Sequence, residues 1–254
     1  MSTIRLLGAG AVAERSQDSS GRPASPRRVA LLALLAVARA AGAKRDVVLA
    51  LLWQGQGGDL AAQQLAELVA SFRGEFGAQA IAERDGSLQL DSTRVAVDVS
   101  QFETAADAGD LARAAAVYAG EFLEGFFLDD AVEFEQWASD QRTRLARRAA
   151  AVLDELADTA RQRGDQQLLI DLLRRRVEIE PYAAGPTLAL MRTLESAGDA
   201  HAALRAGRTY ESRIRTYLEA DPAPEVLAET RRLRAIVGPL ATPAGGTANT
   251  PDKR

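Results

Sequence analysis

The chain has 254 residues, of which 47% are hydrophobic, and its formal net charge is −4. That length and apolar content predict one or two hydrophobic cores and favour two domains. The sequence contains no cysteine, which excludes disulfides, thiol catalysis and cysteine metal sites and fits a cytoplasmic protein. No apolar run reaches the roughly 18 residues of a membrane span. The negative charge means that any binding to nucleic acid must be local.

The first apolar segment, residues 4–13, leads into two glycines, Gly8 and Gly10. In a dinucleotide-binding fingerprint a helix would begin at once, because its N-terminus must face the pyrophosphate. Here a polar run with one glycine and two prolines follows, and such a run favours turns. We therefore interpret residues 4–13 as a strand, a turn and an edge strand.

Helical periodicity predicts three helices between residues 25 and 76. The first begins after Ser25, with Pro26 at the first helical position, and the third runs from Asp59 to Phe76. The alternating segment AIAERDGSLQL then predicts a β-hairpin around Asp85-Gly86. Three helices closed by a hairpin predict a winged helix over residues 1–98.

From residue 99 the pattern contains helices only, joined by turns such as AGD, RGD and SAGD. The longest predicted helix runs from Ala131 to Arg163. Small residues at fixed places in the later helices are typical of stacked helical hairpins. We predict a tetratricopeptide-like array over 99–237 and a flexible tail over 238–254. The expected fold class is therefore mainly α, an N-terminal winged helix followed by a tetratricopeptide-like helical array.

Catalytic chemistry has little support in this sequence. His201 is the only histidine, and we interpret it as a surface residue of a helix. The carboxylates of LDDAVEFEQW fit the first turn of a helix, where acidic groups complement the helix dipole. We expect no enzyme activity, no cofactor and no metal site. The aromatic residues of the same region are predicted to form the junction between the two domains: Phe126, Phe127, Phe134 and Trp137.

Several segments together resemble one family of bacterial regulators. They are RDVVLALLW at 45–53, VDVSQFE at 97–103, YAGEFLEGFFLDDAVEFEQWASDQRTRL at 118–145, LMRTLESAGDAHAALR and ADPAPEVLAETRRLR. The chain resembles SARP-type regulators, which pair a response-regulator-type winged helix with a bacterial transcriptional activation domain. The resemblance implies a transcription factor that binds promoter DNA and contacts RNA polymerase or its sigma factor. It also implies that IRLLGAGAV supplies the leading strands of the winged helix.

The third helix departs from the family pattern. In the family it ends in N-x-L-x-x-x-V-S-x-L-R-R, and here the segment is QQLAELVASFRGEF. Gln63 takes the place of the asparagine, Ala70 that of the serine, Ser71 that of a frequently basic residue, and Gly74 that of the final basic residue. Arg73 matches. From Asp59 to Phe76 the formal charge is −2, and the whole of residues 1–98 carries 11 basic and 10 acidic residues.

Candidate DNA contacts follow from this alignment and from the position of the remaining cations. On the third helix we expect base or backbone contacts from Gln63, Gln64, Ser71 and Arg73. Phosphate contacts are expected from Lys44, Arg45 and Arg84, with Arg27 and Arg28 as further candidates.

Two hypotheses remain open at this point. In the first, the protein is a DNA-binding transcriptional regulator that acts as a homodimer or on repeated half-sites. In the second, the winged helix no longer binds DNA and the chain is a protein-interaction scaffold.

Overall fold

The computed structural model describes residues 4–8 and 25–238, which fall into two compact units, Met1–Leu156 and Ala157–Arg254. We call these unit 1 and unit 2. The division falls within a long helix, and the domain boundary that we predict after residue 98 stays a prediction. The predicted edge strand after Gly8, and the predicted tail beyond Gly238, lie outside the described residues.

The described residues form ten α-helices and one small sheet. In chain order the elements are α1 (Pro26–Ala38), a 3₁₀ turn (Arg39–Ala41), β1 (Ala43–Lys44), α2 (Arg45–Leu52), α3 (Gly58–Phe76), β2 (Ile81–Arg84), β3 (Ser87–Leu90), α4 (Asp98–Asp107), α5 (Leu111–Val117), α6 (Val132–Arg163), α7 (Gln166–Ile179), α8 (Ala184–Ser196), α9 (Ala200–Tyr217) and α10 (Pro224–Val237). Within these described ranges no helix is long and apolar enough to cross a membrane.

The predicted winged helix is present in unit 1. Helices α1 to α3 are followed by the antiparallel hairpin of β2 and β3, and the strand order is β1-β3-β2. Asp85 and Gly86 both have positive φ, 49° and 70°, as the central residues of a type I′ turn require. The predicted fold class, mainly α with an N-terminal winged helix, is thus confirmed.

Residues 4–8 cross between two other segments of unit 1. Ile4 forms a parallel bridge with Val97, and Leu7 forms an antiparallel bridge with Phe122. The carboxylate of Asp98, which is only 5% exposed, accepts hydrogen bonds from the amides of Leu6 at 2.8 Å and Leu7 at 3.0 Å. A buried strand needs partners for its amides, because an unpaired buried amide is costly. Asp98 therefore fixes the N-terminal segment to the start of α4.

Gly8 lies at the end of this segment, where two backbones approach closely. Its φ is +87°, and a Cβ there would lie 3.0 Å from the carbonyl oxygen of Ala119. A Cβ on Gly120 would lie 2.7 Å from the Cα of Gly8. Gly8, which in the sequence is part of a pattern similar to a nucleotide-binding fingerprint, is thus required for packing against residues 119 and 120.

Unit 2 contains α7 to α10, which pack as consecutive helical hairpins. Two of these helices follow predicted Gly-Asp turns: Gly164, between α6 and α7, and Gly198, between α8 and α9, have positive φ, and the following aspartates cap the next helix. Asp165 accepts a hydrogen bond from the amide of Leu168 at 3.1 Å, and Asp199 accepts one from Ala202 at 2.8 Å. One short dipeptide therefore ends one helix and begins the next.

The small residue Gly207 allows α9 to approach two neighbouring helices. A Cβ at this position would lie 2.4 Å from Oγ1 of Thr230 on α10 and 2.7 Å from Cε of Met191 on α8. This close approach is what the pattern of small residues predicts. His201 is exposed on α9, as predicted.

Replacing Asp98 by asparagine tests the anchoring role of its carboxylate. The asparagine amide would keep one acceptor oxygen but lose the charge that strengthens the hydrogen bonds from Leu6 and Leu7. We therefore expect Asp98→Asn to lower the free energy of unfolding by about 2–4 kcal/mol. Urea denaturation followed by circular dichroism measures this. Asp221→Asn, at an exposed loop position without a described partner, is the control and should change stability by less than about 0.5 kcal/mol. Equal stability of the two variants would contradict the role.

Arg232 of unit 2 joins α8 to α10 and makes part of the stability dependent on pH. Its guanidinium pairs with Glu195 and Glu229 and holds the pKa of both carboxyl groups below their ordinary value of 4.5. Because the pKa is lower in the folded state, this stabilisation is complete above the ordinary pKa and is lost as the pH falls through the folded one.

We therefore expect Arg232→Gln to reduce the loss of melting temperature between about pH 5 and about pH 3. Thermal melts at several pH values measure the slope. Arg234→Gln, an exposed arginine of the same helix, is the control and should keep the slope of the unmodified protein. An unchanged slope in Arg232→Gln would show that other carboxyl groups dominate acid unfolding.

Candidate nucleic-acid interface

The outward face of α3 is exposed along the helix. Ala61, Leu65, Val69 and Phe72 are buried on one side at helical spacing. The opposite side is exposed and contains small or polar residues with one acid: Gln63, Ala66, Glu67, Ala70 and Gly74. This is the face that the sequence predicts for a DNA groove, and Ala66, Ala70 and Gly74 are small enough to let another molecule approach the helix closely.

The middle of that face is acidic. The Nε2 group of Gln63 donates a hydrogen bond to Oε1 of Glu67 at 3.0 Å. Gln63, which we predict to contact DNA bases, is therefore hydrogen-bonded to Glu67 one helical turn away. A nucleic acid that enters this face would meet the Glu67 carboxylate beside the Gln63 amide.

Gln64 and Ser71 lie on the flank of α3. The indole N–H of Trp53 donates to Oε1 of Gln64, which is half-buried. Ser71 is exposed, and its Oγ accepts a hydrogen bond from Nη1 of Arg28 at 3.5 Å. Gln64 thus connects α3 to the end of α2, whereas Ser71 stays accessible.

Arg73 is used within the winged helix. Its Nε donates to the carbonyl oxygen of Ile81 at 3.0 Å, and the side chain is half-buried. This bond attaches the first wing strand to α3. A substitution of Arg73 would therefore change the fold and any phosphate contact at the same time, and its role on DNA stays a prediction.

Lys44 and Arg84 lie in one row across the sheet. Both are paired in register with Ser87 of the central strand β3, so their side chains project to the same face. Two strand spacings separate them by about 10 Å. The next residue of β3, Leu88, is buried and points to the core, so this row lies on the opposite side of the sheet. Both cations are exposed and have no ion-pair partner among the described residues.

Other cations of the winged helix pair with acids. Arg45 donates from Nη2 to the carbonyl of Ala62 at 3.2 Å and lies 3.8 Å from Glu83. Arg28 pairs with Glu75 and lies over the ring of Phe72, 4.6 Å from its centroid. These contacts stabilise the domain and neutralise part of its positive charge.

Arg27 is the third cation of this kind. Its Nε donates to the carbonyl of Leu52 at 3.0 Å, and its guanidinium pairs with Asp130. The sequence could not reveal this pair, because the two residues are 103 positions apart.

Three of the four aromatic residues predicted to form the domain junction pack against each other, and their role between the two predicted domains stays a prediction. Phe126 and Phe134 are buried, and their ring centroids are 6.1 Å apart. Phe134 also lies 5.4 Å from the ring of Trp137. Phe127 is 63% exposed, so the prediction that it packs inside this junction is wrong. Both Phe126 and Phe127 are apolar, and the sequence alone does not show which of two neighbouring rings points inward.

Comparison with known proteins identifies a family and a structural relative. The family model described as the bacterial transcriptional activator domain matches residues 90–234. Among solved structures, Mycobacterium tuberculosis EmbR, in complex with a low affinity phosphopeptide, is similar with a TM-score of 0.53 and 20% sequence identity. The similarity covers 87% of this chain and 62% of that chain, and at this identity it shows the fold alone. No curated protein matches.

Proposed function

The chain belongs to the bacterial transcriptional activator domain family, and from that premise we propose that it is a SARP-type regulator that binds promoter DNA through its winged helix. The helical domain is proposed to bind a partner protein, RNA polymerase or a sigma factor. Both contacts would occur in the cytoplasm.

The observation that carries this proposal is the exposed outward face of α3. A helix fits the major groove of B-DNA, and Ala66, Ala70 and Gly74 let the backbone come close to the bases. The Gln63 amide has the donor and acceptor pattern that pairs with adenine. To read a base it must exchange its bond with Glu67 for one with DNA.

The row of Lys44 and Arg84 supplies the positive charge for phosphate contacts. Each cation that neutralises a phosphate releases a counterion, so affinity falls as salt rises. Phosphate contacts position the protein, whereas contacts to base edges specify the sequence. The row would fix the winged helix on the backbone while α3 reads the groove.

The double variant Lys44→Ala with Arg84→Ala tests the phosphate contacts. Genomic DNA fragments bound by the protein are first recovered and sequenced, and the affinity for one such fragment is then measured against salt. We expect the slope of log affinity against log salt to become smaller by about 0.9 for each cation removed.

The matched control is Arg161→Ala with Arg174→Ala, which removes the same charge from unit 2. Each of these arginines pairs with an acid three residues away on its own helix. The control should keep the original slope. A slope that is equal in both double variants would contradict a phosphate contact at Lys44 and Arg84.

Glu67→Gln tests whether the outward face of α3 meets DNA. Glutamine has nearly the same shape as glutamate without its charge, so the variant removes a repulsion of about 0.6 kcal/mol for a phosphate about 7 Å away. We expect an affinity about threefold higher at low salt, measured by fluorescence anisotropy. Glu178→Gln, an exposed glutamate of α7, is the control. An affinity unchanged by Glu67→Gln would place DNA elsewhere.

The paired cations favour a second candidate function, a protein-interaction scaffold whose winged helix does not bind DNA and whose helical array binds a partner protein. Arg27, Arg28 and Arg45 all pair with acids, and α3 carries a net negative charge. Such a domain has little positive charge left to attract a polyanion. If the purified protein binds no genomic DNA fragment at low salt, this alternative replaces the DNA-binding proposal.

A further inference from the structure

Two large apolar side chains of unit 1 project into solvent from one short segment. Phe127 is 63% exposed and Val132 is 70% exposed. Their neighbours Phe126, Leu128 and Ala131 are buried, so the segment is anchored in the core. Single exposed apolar residues are ordinary, whereas two that flank one turn held by hydrogen bonds form a candidate interaction site.

The backbone places Phe127 and Val132 on the two sides of a turn. The amide of Ala131 donates to the carbonyl of Leu128 at 3.2 Å, which closes the turn. The amide of Leu128 donates to the side chain of Glu135 at 2.8 Å, which ties the turn to the first turn of α6. The two apolar side chains therefore flank a fixed loop with Asp129 and Asp130 at its tip.

The charge around this pair is negative. Residues 114–141 contain seven acidic residues and no lysine or arginine. The next residue, Arg142, donates to the carbonyl oxygen of Phe126 at 3.2 Å and lies 3.4 Å from Glu121, so its charge is already paired. Asp130 is neutralised by Arg27, but Asp129 is exposed and has no ion-pair partner among the described residues. Glu133 is exposed beside Val132 and accepts only a long hydrogen bond, 3.5 Å, from the amide of Gln54.

These charges decide which occupant fits. DNA is a polyanion and would be repelled by Asp129 and Glu133. A second copy in a two-fold contact would place the same acids against each other, and like charges facing across an interface are unfavourable. A positively charged protein segment with apolar side chains satisfies both parts of the surface.

We propose that Phe127, Asp129, Val132 and Glu133, which we call the acidic–apolar surface, bind a basic amphipathic helix of a partner protein. The apolar side of that helix packs on Phe127 and Val132, and its lysines or arginines pair with Asp129 and Glu133. This inference rests on the proposed function, since it names the chemistry of the partner that the helical domain binds.

The test uses the full-length protein and a synthetic peptide as the probe. The peptide is an amphipathic helix of leucine and lysine, and a second peptide has glutamate in place of every lysine. Fluorescence anisotropy measures binding of each. We expect the lysine peptide to bind with an affinity that falls as salt rises, and the glutamate peptide not to bind.

Variants then locate the binding site. Phe127→Ser with Val132→Ser should weaken binding of the lysine peptide on the order of tenfold or more, because it removes the apolar anchors. Asp129→Asn with Glu133→Gln should weaken it and reduce its salt dependence. Tyr217→Ser is the matched control, since Tyr217 is a 71% exposed aromatic residue of unit 2, and should leave the affinity unchanged.

Binding of the lysine peptide that is equal in the serine double variant and the unmodified protein would overturn the proposal. A loss of affinity for the lysine peptide in Tyr217→Ser equal to the loss in the serine double variant would also overturn it. If the serine double variant fails to fold, as circular dichroism would show, the Asn and Gln double variant decides, because it nearly keeps the size of both side chains and removes only their charge. DNA binding is measured on the same samples. Failure of DNA binding alone rejects the DNA contact, whereas failure of peptide binding alone rejects the acidic–apolar surface.

Discussion

The buried carboxylate of Asp98 is the contact on which the arrangement of unit 1 depends. It accepts the amides of Leu6 and Leu7 and so holds the N-terminal segment against the start of α4. The other edge of that segment pairs with residues 121–123, where the amide of Leu123 donates to the carbonyl of Leu6 at 2.8 Å. The N-terminal segment thereby joins the winged helix to the first part of the activator-domain region. Buried backbone groups leave such a segment few alternatives, because each amide needs a partner.

Several arginines of the winged helix are used within the fold. Arg27 and Arg28 stack on Trp53 and Phe72 and pair with acids, and Arg73 binds a backbone carbonyl. A guanidinium keeps further N–H donors when one is used, but a carboxylate partner neutralises its charge and weakens its attraction to a phosphate. The winged helix has therefore kept its packing while much of its positive charge is neutralised. This trade-off explains why the surface potential, more than the shape of α3, governs the choice between the two functions.

Unit 1 also separates two surfaces of different electrostatic character. The sheet row of Lys44 and Arg84 is positive, and the acidic–apolar surface around Phe127 is negative. In a regulator that binds DNA and protein, opposite charges at the two surfaces direct each partner to its own site. The turn that carries Phe127 is tied to α6 through the hydrogen bond from the amide of Leu128 to Glu135.

The sequence by itself determined the elements of this fold, because helix period, Gly-Asp turns and the Asp85-Gly86 hairpin are local patterns. It also indicated the exposed face of α3, since that face follows from the spacing of the buried residues. Only the tertiary structure decided which partner a polar side chain has, as for Gln64 with Trp53 and Arg73 with Ile81. It also placed Lys44 and Arg84 in one row across the sheet. It alone showed that Phe126 points inward and Phe127 outward. These contacts depend on residues that are distant in the chain. A local sequence pattern does not show which distant residues become neighbours when the chain folds.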